Sequence, residues 1–361
     1  MNDANELISF IASMSGEGNL RVEENLGEGY VRLRVSEAER RQAKHDIQHV
    51  EDIVIEMLRN ARDAGADKVY LATTKEDGVR TLVFLDNGSG VPQDMQERIF
   101  DARVTSKLES LKMDRWGVHG RGMALFSIKQ NTDEACVVAS DVDLGSVFKV
   151  SVATDRLGER ADQSSWPQAV KDEDGHYVCA RGPHNIIRAA CEFALAELRA
   201  CDVYLGSPSE IAATLHAQAS SRLDASRLLF IDDEAELPVV DRLGLASDAE
   251  DFIRICSGLG LEMSERTAHR ILAGQIKPVR GVTARLLRER DSSSHASAPV
   301  DLAKDRRGLR IAKDDMAQFS RAVERDFNDL ASRYYLNLCG DPKIRVSRDR
   351  ITVTFDLAKE E

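Results

Sequence analysis

Apolar and polar residues follow two different periods along the first half of the chain. Residues 46–66 carry apolar side chains at helical spacing, which predicts one long helix. Residues 68–74 and 79–86 alternate apolar with other residues, as do 134–141 and 146–153, and each pair flanks a turn typical of a hairpin. This order of helices and strands predicts an α/β sandwich, in which helices cover one face of a mixed sheet.

The same pattern divides the chain into parts. A polar, turn-rich stretch at 158–182 predicts a domain boundary, and the serine-rich run within 291–300 is typical of a flexible linker. We therefore expect an α/β domain at 1–157, a second, α+β domain formed by 183–240 together with 313–361, and a small helical unit at 248–290. In the last part of the chain the pattern predicts a helix over 313–338 and short strands at 343–347 and 351–357.

Length and composition are those of an ordinary globular protein. The 361 residues are 42% hydrophobic and 30% charged, and the apolar runs fall short of the roughly 18 residues that a membrane helix needs. The N-terminal residues lack the basic-then-apolar order of a signal peptide. The six cysteines form neither a CxxC nor a zinc-ligand pattern. We therefore expect a cytoplasmic protein with reduced thiols and no membrane contact.

Charge is distributed unevenly along the chain. The net charge of −12 argues against nucleic-acid binding by the whole protein, because phosphate binding requires clustered Lys and Arg. Residues 264–313, however, hold 12 Lys and Arg against 5 Asp and Glu. A local basic surface is therefore expected in the second half of the chain.

Three polar residues of the predicted helix at 46–66 share one face. Glu56, Asn60 and Asp63 are spaced i, i+4 and i+7, which places them side by side. A carboxylate can accept a proton from water, and an amide oxygen suits a hard cation such as Mg²⁺. The trio alone is equally compatible with an ordinary solvated helix face.

A first glycine motif follows an apolar strand. In Asp86-Asn87-Gly88-Ser89-Gly90 the carboxylate can accept the exocyclic amine of adenine, and the two glycines allow backbone to approach a base closely. By itself this motif is also typical of an ordinary turn.

A second glycine motif opens a predicted helix at 120–131. In Gly117-Val118-His119-Gly120-Arg121-Gly122 the backbone N–H groups and the positive helix end can bind phosphate. The motif is not a Walker loop, because no Gly-Lys-Ser/Thr follows it. It is not a Rossmann fingerprint either, because the preceding segment is polar loop rather than strand.

The order and spacing of these motifs are more specific than any one of them. The array resembles the GHKL ATPase superfamily, which includes type II topoisomerases, MutL proteins, ninety-kilodalton heat-shock chaperones and histidine kinases. Gly145-Ser146-Val147-Phe148 resembles the last strand of that nucleotide site, with Ser146 where a threonine is common. The resemblance covers roughly residues 25–155 and rests on Glu56-x3-Asn60-Ala61-x-Asp63-Ala64, then Asp86-x-Gly88-x-Gly90, then Gly117-x2-Gly120-x-Gly122.

The resemblance implies ATP and Mg²⁺ as ligands and a role for each residue. Glu56 would be the general base for hydrolysis, Asn60 the Mg²⁺ ligand and Asp86 the residue that binds adenine. Asp63 and Ser146 would hold that carboxylate and a bridging water. The glycines would shape the adenine pocket (Gly88 and Gly90) and cradle the phosphates (Gly117, Gly120 and Gly122). Residues 92–117 would form a lid over ATP, in which Lys107 either reaches a phosphate or is an ordinary solvated lysine.

The form of the motifs favours particular branches of the superfamily. Histidine kinases usually lack the ending Asp63-Ala64, and His45 and His49 lie too close to Glu56 to receive the γ-phosphate. The motif Asn-Ala-x-Asp-Ala and the lid segment 105–107 resemble MutL, topoisomerase VI B subunits and the chaperones. In those relatives a second domain senses nucleotide and ATP closes a dimer, so the resemblance implies a homodimeric ATPase rather than a kinase.

The helical unit at 248–290 carries the local positive charge. Ser264 is a typical N-cap, and Arg266, His269 and Arg270 project from the helix that it starts. The unit resembles the helix-turn-helix of bacterial repressors, whose second helix reads the major groove, and also the helix–two-turns–helix of topoisomerase VI B subunits. We expect these three residues to contact duplex DNA; the alternative is a helical insert with a solvated basic face.

The sequence is compatible with three functions. The first is an ATP-binding and ATP-hydrolysing conformational switch that closes a dimer in a DNA-related process. The second is a slow ATP-dependent DNA-binding or transcriptional regulator, and the third is a chaperone-like or signalling ATPase with no DNA role. Because we identify no nuclease or strand-cutting motif, cleavage of DNA would require a partner subunit.

Overall fold

The structure, a computed structural model, divides the chain into two compact units, Met1–Arg290 and Asp291–Glu361. Lys107, Gly120 and the predicted linker at 291–300 lie outside the described residues. None of the described helices is long and apolar enough to cross a membrane. The described residues are 22–106, 112–119, 122–160, 162–223, 233–287, 316, 319–320, 323–324, 327, 336–340, 342–346 and 351–359.

The first unit contains twelve strands and seven named helices among its described residues. The strands are β1 Val22–Gly27, β2 Tyr30–Leu33, β3 Lys68–Glu76, β4 Val79–Asp86, β5 Val104–Thr105, β6 Lys112–Asp114, β7 Gly117–His119, β8 Glu134–Ser140, β9 Ser146–Ala153, β10 Gln168–Lys171, β11 Tyr177–Arg181 and β12 Asp202–Gly206. The helices are α1 Glu37–Asp46, α2 Val50–Asp63, α3 Ala124–Asn131, α4 Ile186–Ala196, α5 Pro208–Arg222, α6 Ala249–Gly258 and α7 Glu265–Leu272. Residues 282–287 are also helical.

Local sequence sets several helix ends. Ser36 and Glu39 form a reciprocal capping box that begins α1, so the stretch before the long predicted helix is itself helical. Ser207 caps α5, and Pro208 occupies its first turn, where the missing N–H costs nothing. Gly65, at φ 76°, follows α2 and ends it in the left-handed conformation that glycine accepts without strain.

A five-stranded mixed sheet forms the centre of this unit. The strand order is β12-β3-β4-β9-β8; β12 runs parallel to β3, and the other neighbours are antiparallel. Asp86, the last residue of β4, lies between Val69 of β3 and Ser146 of β9. The register therefore brings the first glycine motif to the same sheet edge as the start of β9.

Both faces of the sheet are buried. Successive side chains point to opposite faces, so Leu82 and Phe84 enter one core while Val83 and Leu85 enter the other. Helices α2, α3 and α4 cover the first face, and α5, α6 and α7 cover the second. The α/β class is confirmed, and the covering of the second face is a feature that the sequence pattern did not predict.

The compact units differ from the predicted domains. Strand β12 extends the central sheet by pairing with β3, and α4 packs in the same core as α2, so residues 183–240 belong to the first unit. The predicted boundary at 158–182 contains the hairpin β10–β11. Residues 248–287 also pack on the sheet through Phe252, Ile255 and Ile271. The expected pairing of 183–240 with 313–361 in one compact domain is therefore not the arrangement found.

The second unit contains β13 Leu336–Leu338, β14 Lys343–Val346, β15 Ile351–Thr354 and β16 Leu357–Lys359. Strands β14 and β15, which lie where two short strands are predicted, pair antiparallel. The predicted helix over 313–338 is too long, because Leu336–Leu338 pairs with β16 as a strand. Tertiary pairing here overrides the helical spacing of the apolar residues.

Candidate nucleotide site

Residues from distant parts of the chain line one cavity of about 510 Å³ beside α2. Helix α2 contributes its polar face, the end of β4 contributes the first glycine motif, and β9 contributes its first residue. The segment before α3 closes another side of the cavity. The predicted site residues that line it are Glu56, Asn60, Asp63, Asp86, Gly90, Gly122 and Ser146.

Gly88 lies behind the cavity wall rather than in it. The Gly88 N–H donates to Asp86 Oδ1 at 2.8 Å, and a Cβ at Gly88 would come within 2.8 Å of the Ala64 carbonyl oxygen. Gly88 therefore permits close packing against the end of α2. Gly117, another predicted glycine, pairs with Asp114 in the hairpin β6–β7.

The carboxylate of Asp86 is held at one end of the cavity by the sheet itself. Asp86 is only 3% exposed, and its neighbour across the β4–β9 ladder, Ser146, is equally buried. Two flanking strands and the Gly88 N–H fix the position of Oδ1. A buried carboxylate aimed into a cavity is suited to recognise a hydrogen-bond donor on a ligand.

The turn after β4 interlocks with the turn between β8 and β9. Gly90 has φ 71°, and a Cβ on it would lie 1.8 Å from the Asp141 carbonyl oxygen. A Cβ on Gly145 would similarly lie 2.2 Å from the Asp86 carbonyl oxygen. Only glycine fits these two close approaches, which set the shape of this end of the cavity.

Glu56 lies at the other end of the cavity in a chain of ion pairs. Arg59 Nη1 donates to Glu56 Oε1 at 2.7 Å, while Arg59 Nε and Nη2 donate to the two oxygens of Asp114 at 3.0 and 3.1 Å. The side chain of Arg59 is 3% exposed, so these bonds form in a water-poor environment. Arg59 thus fixes the carboxylate of Glu56 against the hairpin β6–β7.

Comparison with known families agrees with this geometry. Residues 47–143 match the family described as histidine kinase-, DNA gyrase B-, and HSP90-like ATPase. These residues form a GHKL ATPase domain. The match includes Glu56, Asn60, Asp63 and Asp86 and supports ATP binding and hydrolysis as the general activity. No curated protein matches the chain.

A second arginine extends the ion-pair chain of the ATPase domain. Arg62 Nε donates to Asp63 Oδ1 at 2.9 Å, and its Nη1 donates to Asp114 and to Glu197, each at 3.0 Å. The Asp63 side chain is 2% exposed. Arg62 therefore connects the predicted nucleotide-binding carboxylate to the hairpin β6–β7 and to the residue that ends α4.

Asp114 is the shared acceptor of both arginines. Burial opposes its ionisation, but hydrogen bonds from Arg62 and the Trp116 N–H, with the charge of Arg59, hold the pKa of its carboxyl below the usual range. Burial opposes the charge of Arg62, but its hydrogen bonds to Asp63, Asp114 and Glu197 outweigh that effect and raise the pKa of its guanidinium. Asp114 and Arg62 are consequently both ionised at neutral pH.

The hairpin β6–β7 also rests on α4. Arg115 Nη2 donates to Glu192 Oε2 at 2.9 Å, and the Trp116 and Phe193 rings stack with centroids 6.2 Å apart. The hairpin β6–β7 is thus tied to α2 by ion pairs and to α4 by an ion pair and ring packing.

Sequence reasoning missed Arg59, Arg62 and Asp114. Arg59 stands at i+3 from Glu56, a spacing that allows an ion pair on one helix and gave a usable signal. Asp114 gave none, because its proximity to α2 depends on the tertiary position of the hairpin β6–β7.

The residues at the Glu56 end fit a bound Mg²⁺. Asn60 faces the cavity one helical turn from Glu56 and offers an amide oxygen as a ligand. Oxygen ligands of this kind suit Mg²⁺, which usually keeps water and substrate phosphate as its other ligands.

The three predicted DNA-contact residues lie outside the cavity lining, on a different helix. Arg266, His269 and Arg270 are exposed on α7, while Ala268 and Ile271 of the same helix are buried against the second sheet face. Ser264 caps the helix, as expected, by accepting from the Thr267 N–H.

Proposed function

We propose that this protein is an Mg²⁺-dependent ATPase in which Glu56 is the general base. The observation that carries the proposal is the convergence of Glu56, Asn60, Asp86 and Ser146 on one cavity. These residues come from α2, the end of β4 and the start of β9. A solvated helix face and an ordinary turn would not be expected to line one cavity of this size.

In the proposed complex, ATP binds with its adenine at the Asp86 end. The Asp86 carboxylate accepts the exocyclic amine, and Asp63 and Ser146 support it directly and through a water. The segment that ends at Gly122 receives the phosphates at the opposite end, together with Gly120 and Lys107. Asn60 would hold Mg²⁺, which neutralises phosphate charge and orients the terminal phosphate.

In the proposed reaction, water attacks the γ-phosphorus and the bond from phosphorus to the β–γ bridging oxygen breaks. The proton of the attacking water passes to the Glu56 carboxylate, and ADP leaves with the bridging oxygen. Arg59 limits the motion of Glu56 through its hydrogen bond to Oε1. Positioning of this kind reduces the entropic cost of reaching the reactive geometry.

We further propose that ATP binding closes a homodimer in a DNA-related process. The form of the motifs, which resembles MutL, topoisomerase VI B subunits and the chaperones, supports a hydrolytic switch over phosphotransfer to histidine. ATP would stabilise the closed state through contacts that it makes only there, and hydrolysis would release it.

Incubation of the purified protein with γ-labelled ATP tests the proposal. The expected result is free labelled phosphate in equal amount to ADP, dependent on Mg²⁺. Light scattering with a non-hydrolysable analogue should show twice the monomer mass. Label retained covalently on the protein would instead support a histidine kinase, and an unchanged mass would remove the dimer from the proposal.

A second candidate function, duplex DNA binding, is supported by the exposed basic face of α7. Arg266, His269 and Arg270 all lie on the solvent side of this helix. Binding that weakens steeply with salt and is lost in Arg266→Ala plus Arg270→Ala would support it. Equal binding by the double variant would place the DNA contact outside α7, and absence of binding by the wild type would favour the chaperone-like or signalling alternative.

A further inference from the structure

Arg103 is a buried arginine of the cavity that belongs to none of the sequence motifs. It directly precedes β5, its side chain is 5% exposed, and it lines the same cavity as Glu56 and Asp86. Its φ of 64° lies in the left-handed region that non-glycine residues rarely adopt. Such conformations persist where the surroundings hold them, often at ligand sites.

The backbone of Arg103 is fixed on two sides. Its N–H donates to the Gly122 carbonyl at 2.8 Å, and its own carbonyl accepts from the Leu33 N–H at 3.0 Å. Gly122, at φ 66°, ends the second glycine motif, and a Cβ there would lie 2.6 Å from the Val104 carbonyl oxygen. Arg103 is therefore anchored directly to the end of the predicted phosphate cradle.

The guanidinium of Arg103 is only partly satisfied by protein groups. Its Nη2 pairs with Glu39 Oε1, whose side chain is 37% exposed. Its buried Nε has no acceptor among the residues that the structure describes. A buried arginine N–H without a partner is costly, and a phosphate oxygen is an acceptor that matches the planar guanidinium fork.

Charge in the cavity also favours contact between Arg103 and a phosphate group. Arg59 is already engaged by Glu56 and Asp114, which leaves Arg103 as the less neutralised of the two lining arginines. A cavity this acidic needs positive groups to accept a polyphosphate. Among the described residues that line it, the carboxylates are Glu39, Asp46, Glu56, Asp63 and Asp86, and the cations are Arg59 and Arg103.

We propose that Arg103 binds the phosphate groups of ATP and that Glu39 holds its guanidinium in place before nucleotide arrives. This inference rests on the proposed function of the cavity. Glu39 can release Arg103 without losing its place in α1, because its other oxygen, Oε2, accepts from the Ser36 N–H and hydroxyl at 2.9 and 3.0 Å.

Calorimetric titration with a non-hydrolysable ATP analogue and with adenosine tests the inference. Arg103→Gly removes the guanidinium and accepts the left-handed φ without strain. We expect it to weaken binding of the analogue about 10- to 100-fold and to leave adenosine binding unchanged. Arg156→Gln, the matched control, removes an arginine that pairs with Asp133 outside the cavity and should bind both compounds like the wild type.

The outcomes separate the inference from the proposed function. If Arg103→Gly binds the analogue like the wild type, or loses affinity for adenosine by the same factor, Arg103 is only a structural ion-pair partner. If the wild type binds neither compound, the proposed function itself fails. If Arg103→Gly does not fold, as judged by circular dichroism, Arg103→Gln is titrated instead, because it keeps part of the buried side chain. The expected loss of affinity for the analogue relative to adenosine is the same.

Discussion

The two ends of the cavity are built by different kinds of interaction. At the Asp86 end, strand ladders and two interlocked glycine turns fix the site through backbone. At the Glu56 end, ion pairs among Arg59, Arg62 and Asp114 connect separate elements. In the proposed complex, the backbone ladders give a fixed shape for recognising the base, whereas the side-chain pairs can exchange partners when the charged phosphates bind. Substitutions at the two ends should therefore fail in different ways.

Removal of Glu56, the proposed general base, should give the largest effect on activity. Glu56→Ala is expected to bind ATP but to lower the hydrolysis rate about 100- to 10,000-fold, because the attacking water loses its proton acceptor. Phosphate release at saturating ATP, with affinity measured separately, checks this. Glu51→Ala, a buried carboxylate of α2 that contacts Gln163 rather than the cavity, is the control. Normal hydrolysis by Glu56→Ala would refute the mechanism.

A side chain at Gly90 should disrupt the backbone-built end. Gly90→Ala places a Cβ 1.8 Å from the Asp141 carbonyl oxygen and strains a positive φ. We expect the free energy of unfolding to fall by about 4 kcal/mol or more. Gly78→Ala is the matched control, because its φ of 81° is similar but its Cβ would meet nothing within 4 Å; it should cost about 1 kcal/mol. Equal losses of unfolding free energy in Gly90→Ala and Gly78→Ala, measured by urea unfolding, would show that the close approach of the two turns does not contribute to stability.

Loss of Asp114 should weaken the ion-pair end. Asp114→Asn leaves two buried arginines with less compensating charge, so the free energy of unfolding should fall by about 2–3 kcal/mol at neutral pH. The pKa of Asp114 is lower in the folded than in the unfolded protein. Its contribution to the free energy of unfolding is therefore present above the unfolded pKa of about 4 and is lost as pH falls through the folded pKa.

Urea unfolding of the wild type and Asp114→Asn at pH 7 and near pH 3 checks this dependence. The difference in stability between the two proteins should shrink at the lower pH. Asp133→Asn breaks an exposed pair with Arg156 and should change stability much less. A difference that is constant with pH would mean that Asp114 is not ionised in the network.

Substitution of Asp86, the proposed adenine acceptor, should affect binding rather than stability. Asp86→Asn keeps an oxygen for the Gly88 N–H but turns the carboxylate into an amide, so affinity for ATP should fall about 10- to 100-fold. Asp67→Asn, an exposed residue that contacts Asn87 beside the same turn, should bind ATP normally. Unchanged affinity in Asp86→Asn would move adenine to another part of the cavity.

The smallest effect is expected on α7. Arg266→Ala plus Arg270→Ala changes an exposed face and should leave ATP affinity and basal hydrolysis within about twofold of the wild type. A steady-state ATPase assay without DNA checks this. A large loss of basal activity would mean that α7 affects the cavity through the sheet that it covers.

The sequence predicted the polar face of α2 and the turn after β4 because local signals determine them. The spacing of Glu56, Asn60 and Asp63 and the glycines after β4 correspond directly to one helix face and one turn. Continuous apolar runs such as Leu82-Val83-Phe84-Leu85 are also typical of strands buried on both faces. The predicted sandwich has helices on one face only and therefore does not include this feature.

The remaining features depend on tertiary contacts without local signals. Strand β12 joins the sheet in parallel after more than a hundred residues of intervening chain, so residues 183–240 could not be assigned to it from periodicity. Asp114 meets Arg59 across 55 positions of sequence, and Arg103 meets Glu39 across 64. Such pairs are visible only after the elements have packed.

Hydrogen exchange of the full chain with and without a non-hydrolysable ATP analogue tests the central claim most directly, because it locates the bound nucleotide. Binding of ATP in this cavity should slow exchange in the segments that border it, at 87–91 and 122–125, and leave exchange over 265–273 unchanged. Protection confined to other segments, or no protection while the analogue binds, would contradict the placement of ATP in this cavity.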